Sequence, residues 1–149
     1  MASLTTRESI PAANRQPRRL GQASFGLVIL LVIQYVLGLG NNLYGTAPTA
    51  TKDIGEFSSP LLAVHVINGT LLIVAAIWLV VVTVRARARL AVITSGIGLL
   101  SVLAAFYGGE EFIHKGGTSG YSMLMGVTMA VALLCYVVNV WAFDGRGSN

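Results

Sequence analysis

Apolar residues run through the chain in four long stretches, each bounded by polar or charged positions. Ala23 to Leu39 holds 17 residues without a charge, and Gly21 and Gly40 flank it. At 1.5 Å per helical residue this is about 25 Å, close to the hydrocarbon thickness of a bilayer. Pro60 to Val84 gives 25 residues, Leu90 to Tyr107 gives 18 and Tyr121 to Phe143 gives 23. Pro60 suits a first helical turn, with Ser58 and Ser59 before it as caps. The turn Arg85 to Arg89 is so short that the second and third helices must be antiparallel neighbours. The pattern predicts an all-α protein, an integral membrane four-helix up-down-up-down bundle. Its expected spans cover about residues 22–40, 60–84, 90–107 and 121–143.

Composition sharpens this picture. The 149 residues are 54% hydrophobic and only 11% charged, with a mean hydropathy of +0.72, which excludes an ordinary soluble globule. The net charge is +4, but the cations are grouped by topology. Arg7, Arg15, Arg18 and Arg19 precede the first stretch, Arg85, Arg87 and Arg89 separate the second and third, and Arg146 follows the fourth. The positive-inside rule puts these on the cytoplasmic side, so both termini are expected inside a cell membrane. Trp78 and Trp141 fall near the same boundary, as interfacial aromatics do. Lipid is therefore the expected partner of the basic residues, and nucleic acid is not. A cleaved secretory signal fits the first 40 residues less well, because the apolar core is long and no A-x-A site follows.

Outside the spans, residues 1–19 are polar and arginine-rich and predict a disordered cytoplasmic tail, with a short tail at 144–149. The connection from Asn41 to Ser59 is long enough to lie over the mouth of the bundle, and Asn41, Asn42, Gly45 and Pro48 mark turns in it. A single cysteine, Cys135, excludes an intramolecular disulfide and any cysteine-based zinc site.

In lipid, helices meet through small residues and through polar side chains that avoid hydrocarbon. On the fourth helix Tyr121, Met125, Thr128, Ala132, Cys135 and Asn139 recur at spacings of four and three and predict an inward seam. Gly126 with Ala130, Ala91 with Ser95, and Ala104 with Gly108 repeat the small-x-x-x-small spacing and predict further close contacts, within the bundle or with other membrane subunits. On the second helix His65, Asn68, Gly69 and Leu72 share one face. Gln34 and Tyr35 stand at similar depth on the first. Asn68-Gly69-Thr70 matches a glycosylation sequon but lies inside a span, out of reach of modification.

His65 is the first candidate for chemistry, because ionisable groups within spans are rare and face the bundle interior. One reading is an interfacial histidine hydrogen-bonded to the 41–59 connection or to Asn68, a second a ligand to haem iron, and a third a proton-transfer group. A second axial group across the bundle is offered by Met125, on the predicted seam at matching depth, or by His114. The latter is expected in the loop after the third span among Glu110, Glu111 and Lys115. Glu110, Glu111 and His114 also form a weaker candidate metal site, since a helical extension would bring the carboxylates one turn before the imidazole. No nucleophile elbow, phosphate loop or dinucleotide glycine pattern occurs, so no catalytic residue is assigned.

The run His65-Val66-Ile67-Asn68-Gly69, at the start of the second of four spans, resembles small four-helix membrane cytochromes of b type and one half of haem A synthase. The likeness covers Pro60 to Phe143. It implies haem b bound within the bundle and electron transfer, with His65 as a ligand. Leu62 occupies the position where haem A synthase carries an acidic residue before its histidine, which separates this chain from enzymatic haem modification. Two functions are thus expected from sequence: a haem-binding electron-transfer protein, or a non-catalytic accessory subunit or assembly factor of a larger membrane complex.

Overall fold

The computed structural model describes residues 15–45, 48, 49 and 54–144. They form four helices: α1 (Arg15–Tyr44), α2 (Pro60–Arg85), α3 (Arg89–His114) and α4 (Ser119–Asp144). Each is long and apolar enough to cross a membrane. Only a minority of each apolar stretch is covered by the rest of the protein, from 17% on α1 and α4 to 33% on α2. Large apolar side chains such as Leu100, Met123, Leu134 and Trp141 point outward instead, the surface expected where lipid replaces water.

The helices pack in a closed ring, α1 on α2, α2 on α3, α3 on α4 and α4 back on α1. Neighbours are antiparallel with a regular register. Gly38 faces His65 and Gly40 faces Leu61, while Gly98 faces Tyr136 and Gly108 faces Met125. One number rises as the other falls. The connections α1–α2 and α3–α4 therefore share one end, here called the loop end, and the α2–α3 turn shares the other with Arg15 and Asp144.

Local chemistry explains the boundaries. Ser59 caps α2, its Oγ accepting from the Leu62 amide at 3.2 Å, and Pro60 fills the first turn, where a missing N–H costs nothing. Arg87, with φ of 53°, reverses the chain between α2 and α3 in a backbone region that most side chains avoid. Gly116 and Gly117, at φ of 68° and 72°, do the same between α3 and α4, where glycine is the natural residue.

Two helices outrun their hydropathy. The first begins at Arg15, inside the stretch expected as tail, and continues to Tyr44; residues 1–14 and 145–149 lie outside the described residues. The third continues to His114, seven positions past Tyr107, so His114 ends a helix and is not part of a loop. Charge stops an apolar run but not a helix. Lys115 pairs with Glu111 one turn earlier, an i,i+4 contact that supports the final turn.

The seam of α4 also differs from the predicted one in one place. Ala132, Tyr136, Asn139 and Phe143 are buried, with Met125, Thr128 and Met129 half-buried above them. Tyr136 takes the central position expected of Cys135, because the inward line advances by four residues from Thr128 through Ala132 to Tyr136 before it steps by three. Tyr136 lies across Gly98 of α3: a Cβ there would stand 2.7 Å from its ring, so this helix contact exists only because residue 98 has no side chain. Below it Asn139 joins α4 to α3, donating to Ser95 Oγ at 3.1 Å and accepting from Thr94 Oγ1.

Candidate binding cavity

The half of the bundle nearest the loop end encloses a cavity of about 330 Å³. All four helices contribute to it. Its floor is apolar, made by Leu31, Leu72, Val102 and Met129, and Phe106, Ala105 and Met125 continue the wall. Pro48, Ile54 and Glu56 of the α1–α2 connection border its mouth, with Glu110 of α3. The expected position of this connection over the mouth is thus observed for those three residues. Pro48 also packs on the α3–α4 turn, its carbonyl 3.0 Å from where a Cβ on Gly117 would lie.

His65 lines the cavity between α1 and α2, and its two nitrogens are turned toward α1. Asn68 Nδ2 donates to the Leu30 carbonyl at 3.2 Å and to Gln34 Oε1 at 2.8 Å. Gln34 Nε2 in turn lies 3.1 Å from His65 Nε2. The direction of this chain is set at its start, because a carbonyl only accepts. Asn68 must present its amide nitrogen to Leu30, Gln34 must present its oxygen to Asn68, and the remaining Gln34 nitrogen is left to donate to the imidazole. His65 is therefore a neutral ring with its hydrogen on Nδ1. That Nδ1 is buried without a hydrogen-bond partner, against Gly38, where a Cβ would stand 3.1 Å from Cε1. Gly69 serves the same junction, since a Cβ there would lie 3.2 Å from Gln34 Nε2.

The four residues grouped on one face of α2 by their spacing do share that face: Asn68, Gly69 and Leu72 are buried and His65 is half-buried. His65 is hydrogen-bonded to Gln34 of α1, a partner different from the 41–59 connection or Asn68 expected from sequence. The partner that sequence reasoning left unassigned is Gln34, the polar residue facing His65 from α1, while neighbouring Tyr35 is 62% exposed.

Of the two groups offered as a second axial ligand, Met125 lines the cavity with His65 and His114 does not. Met125 Sδ rests on α3, 3.4 Å from a Cβ built on Gly109. His114 is exposed and its Nδ1 donates to the Glu110 carbonyl at 2.8 Å. Glu111 is held by Lys115, whose ammonium is 3.2 Å from the Tyr121 hydroxyl and stacks over that ring. The Glu111 hydrogen bond, with help from Tyr121, pushes the Lys115 ammonium well above the usual lysine range. Among the described residues no three His, Cys, Asp or Glu side chains converge to hold a metal, and Glu110, Glu111 and His114 are each turned to other contacts or to solvent.

No protein family, no curated protein and no solved structure matches the chain.

Proposed function

We propose that this chain is a multi-pass membrane protein that binds a small, largely apolar molecule in the cavity at the loop end, with both termini cytoplasmic and the loop end outside. The observation that carries the reading is a chamber with an apolar floor, lined by residues of all four helices at the loop end, in whose wall Gln34, His65 and Asn68 are joined by hydrogen bonds. Its size falls at the lower end of ordinary ligand sites, which run from roughly 300 to 1,000 Å³. The arginine clusters at the opposite end support the orientation.

Haem b is the occupant implied by the resemblance; His65 and Met125 are the residues that would hold it, and a histidine–methionine set would give it a raised reduction potential. For this the imidazole would have to surrender Nε2 from Gln34 or turn Nδ1 away from Gly38. An absorption spectrum of the purified protein tests this occupant: a Soret band lost on His65→Ala supports haem, and a colourless protein excludes it. Native mass spectrometry tests the wider reading. A co-purifying molecule should be lost when Ala105→Phe fills the cavity, and an unchanged mass in that variant would overturn the assignment of the site.

An accessory role in a larger complex is supported by a separate observation. Gly26 and Gly96 would each place a Cβ in open space, leaving small-residue seats on α1 and α3 where another helix can approach closely.

A further inference from the structure

The polar groups around the cavity divide into two kinds. Deep in the wall, Gln34, His65 and Asn68 are bonded to one another or to the Leu30 carbonyl. They present no charge to an occupant. At the mouth the balance is different. Among the described residues four charged side chains belong to the loop end: Glu56, Glu110, Glu111 and Lys115. Lys115 and Glu111 neutralise each other. The excess of two negative charges among these residues is thus carried by Glu56 and Glu110. Both line the cavity, and neither has an ion pair among the described residues.

A chamber with an apolar floor and two carboxylates at its rim is complementary to a molecule that has an apolar body and a positive head. Low-dielectric walls focus the field of rim charges into a cleft and raise the local concentration of counter-charged ligand. An anion of the same shape is repelled by the same groups. We propose that the cavity selects lipophilic cations, with Glu56 and Glu110 as the residues that recognise the charge and the Leu31, Leu72, Val102 and Met129 floor as the seat of the apolar body. This rests on the cavity being a binding site, and it names the class of ligand that the site takes.

The experiment uses the full-length protein in nanodiscs of zwitterionic phosphatidylcholine, with empty nanodiscs subtracted. Equilibrium binding is measured for tetraphenylphosphonium and for its anionic isostere, tetraphenylborate. Saturable binding of the cation and not of the anion is expected, weakened about tenfold in the Glu56→Gln/Glu110→Gln double variant and by added salt. Ala105→Phe should abolish it while leaving unfolding unchanged or shifted by a few degrees. If the two probes bind alike and the double variant changes nothing, the charge selection is wrong and the cavity remains a binding site. If neither probe binds above empty nanodiscs, the cavity assignment fails and the selection with it.

Discussion

Gln34 Nε2 on α1 stands 3.1 Å from His65 Nε2 on α2, and because Gln34 is itself oriented by Asn68, the amide is the donor and the imidazole the acceptor. A residue that reads in sequence as a ligand is here the acceptor end of a relay joining two helices. The energetic consequence is measurable. Gln34→Leu or His65→Leu should each destabilise the protein by about 1–2 kcal/mol, by stranding a polar group in an apolar environment. The double variant should lose less than the two combined, with a coupling of about 0.6 to 1.7 kcal/mol. Denaturant unfolding in detergent gives the cycle, and strict additivity would show that the two side chains do not interact.

Tyr136 packs directly on Gly98 between α4 and α3. Gly98→Ala places a methyl group within 2.7–2.9 Å of the tyrosine ring and hydroxyl, so the helices must part or the ring must turn, at a cost of about 1–3 kcal/mol. Tyr136→Phe has the opposite sign or none, since the hydroxyl is buried without a hydrogen-bond partner and its removal relieves a desolvated polar group. Thermal unfolding of the two variants should therefore diverge. A Gly98→Ala protein as stable as the parent would contradict the packing described.

The four long apolar helices, the antiparallel α2–α3 pair and the face shared by His65, Asn68, Gly69 and Leu72 were legible because each depends on local composition and helical periodicity. What was not legible depends on how two helices are rotated against each other. Gln34 is one polar residue in an apolar run, and only the rotation of α1 about its axis turns it, and not Tyr35, toward His65. Cys135 and Tyr136 differ by 100° on α4, and the choice between them was decided by the absence of a side chain at Gly98 on another helix. The end of α3 was placed too early because hydropathy marks where lipid stops, whereas the hydrogen-bonded backbone runs on to His114 through an i,i+4 ion pair.

Asn139 reaches two hydroxyls on α3, donating to Ser95 and accepting from Thr94. The Thr94 hydroxyl has the Leu90 carbonyl, one turn earlier on α3 at 2.8 Å, as an alternative acceptor, while Ser95 is fully buried. Asn139→Leu should therefore cost about 1 kcal/mol, and Ser95→Ala in that background should recover part of it by removing the stranded hydroxyl. Thr94→Val should matter less. A Thr94→Val effect larger than that of Asn139→Leu would reverse the assigned roles.

Topology follows from arginine placement and is open to direct test. Reporter fusions at Asn149 and within the Arg85–Arg89 turn should be cytoplasmic, and a cysteine introduced at Ser119, which is exposed, should react with an impermeant thiol reagent in intact cells. Cys135 is half-buried within a span, so the parent protein serves as the unlabelled control. Labelling of Ser119→Cys only after lysis would invert the bundle and place the cavity mouth in the cytosol.

Gly117 links the α3–α4 turn to the α1–α2 connection for two separable reasons. Its φ of +72° disfavours any side chain, and a Cβ would stand 3.0 Å from the Pro48 carbonyl and 3.2 Å from the Pro48 ring. Gly117→Asn tolerates the backbone conformation but not the contact, whereas Gly117→Val tolerates neither. Both should lift Pro48 and expose the connection to hydrogen exchange near Ile54–Phe57, the valine more strongly, with the protection of α2 and α4 unchanged. Gly116 is also at positive φ, so Gly116→Asn repeats the backbone change at the neighbouring position. Equal exposure by the two asparagine variants would mean that the turn's backbone, and not the Pro48 contact, holds the connection over the cavity.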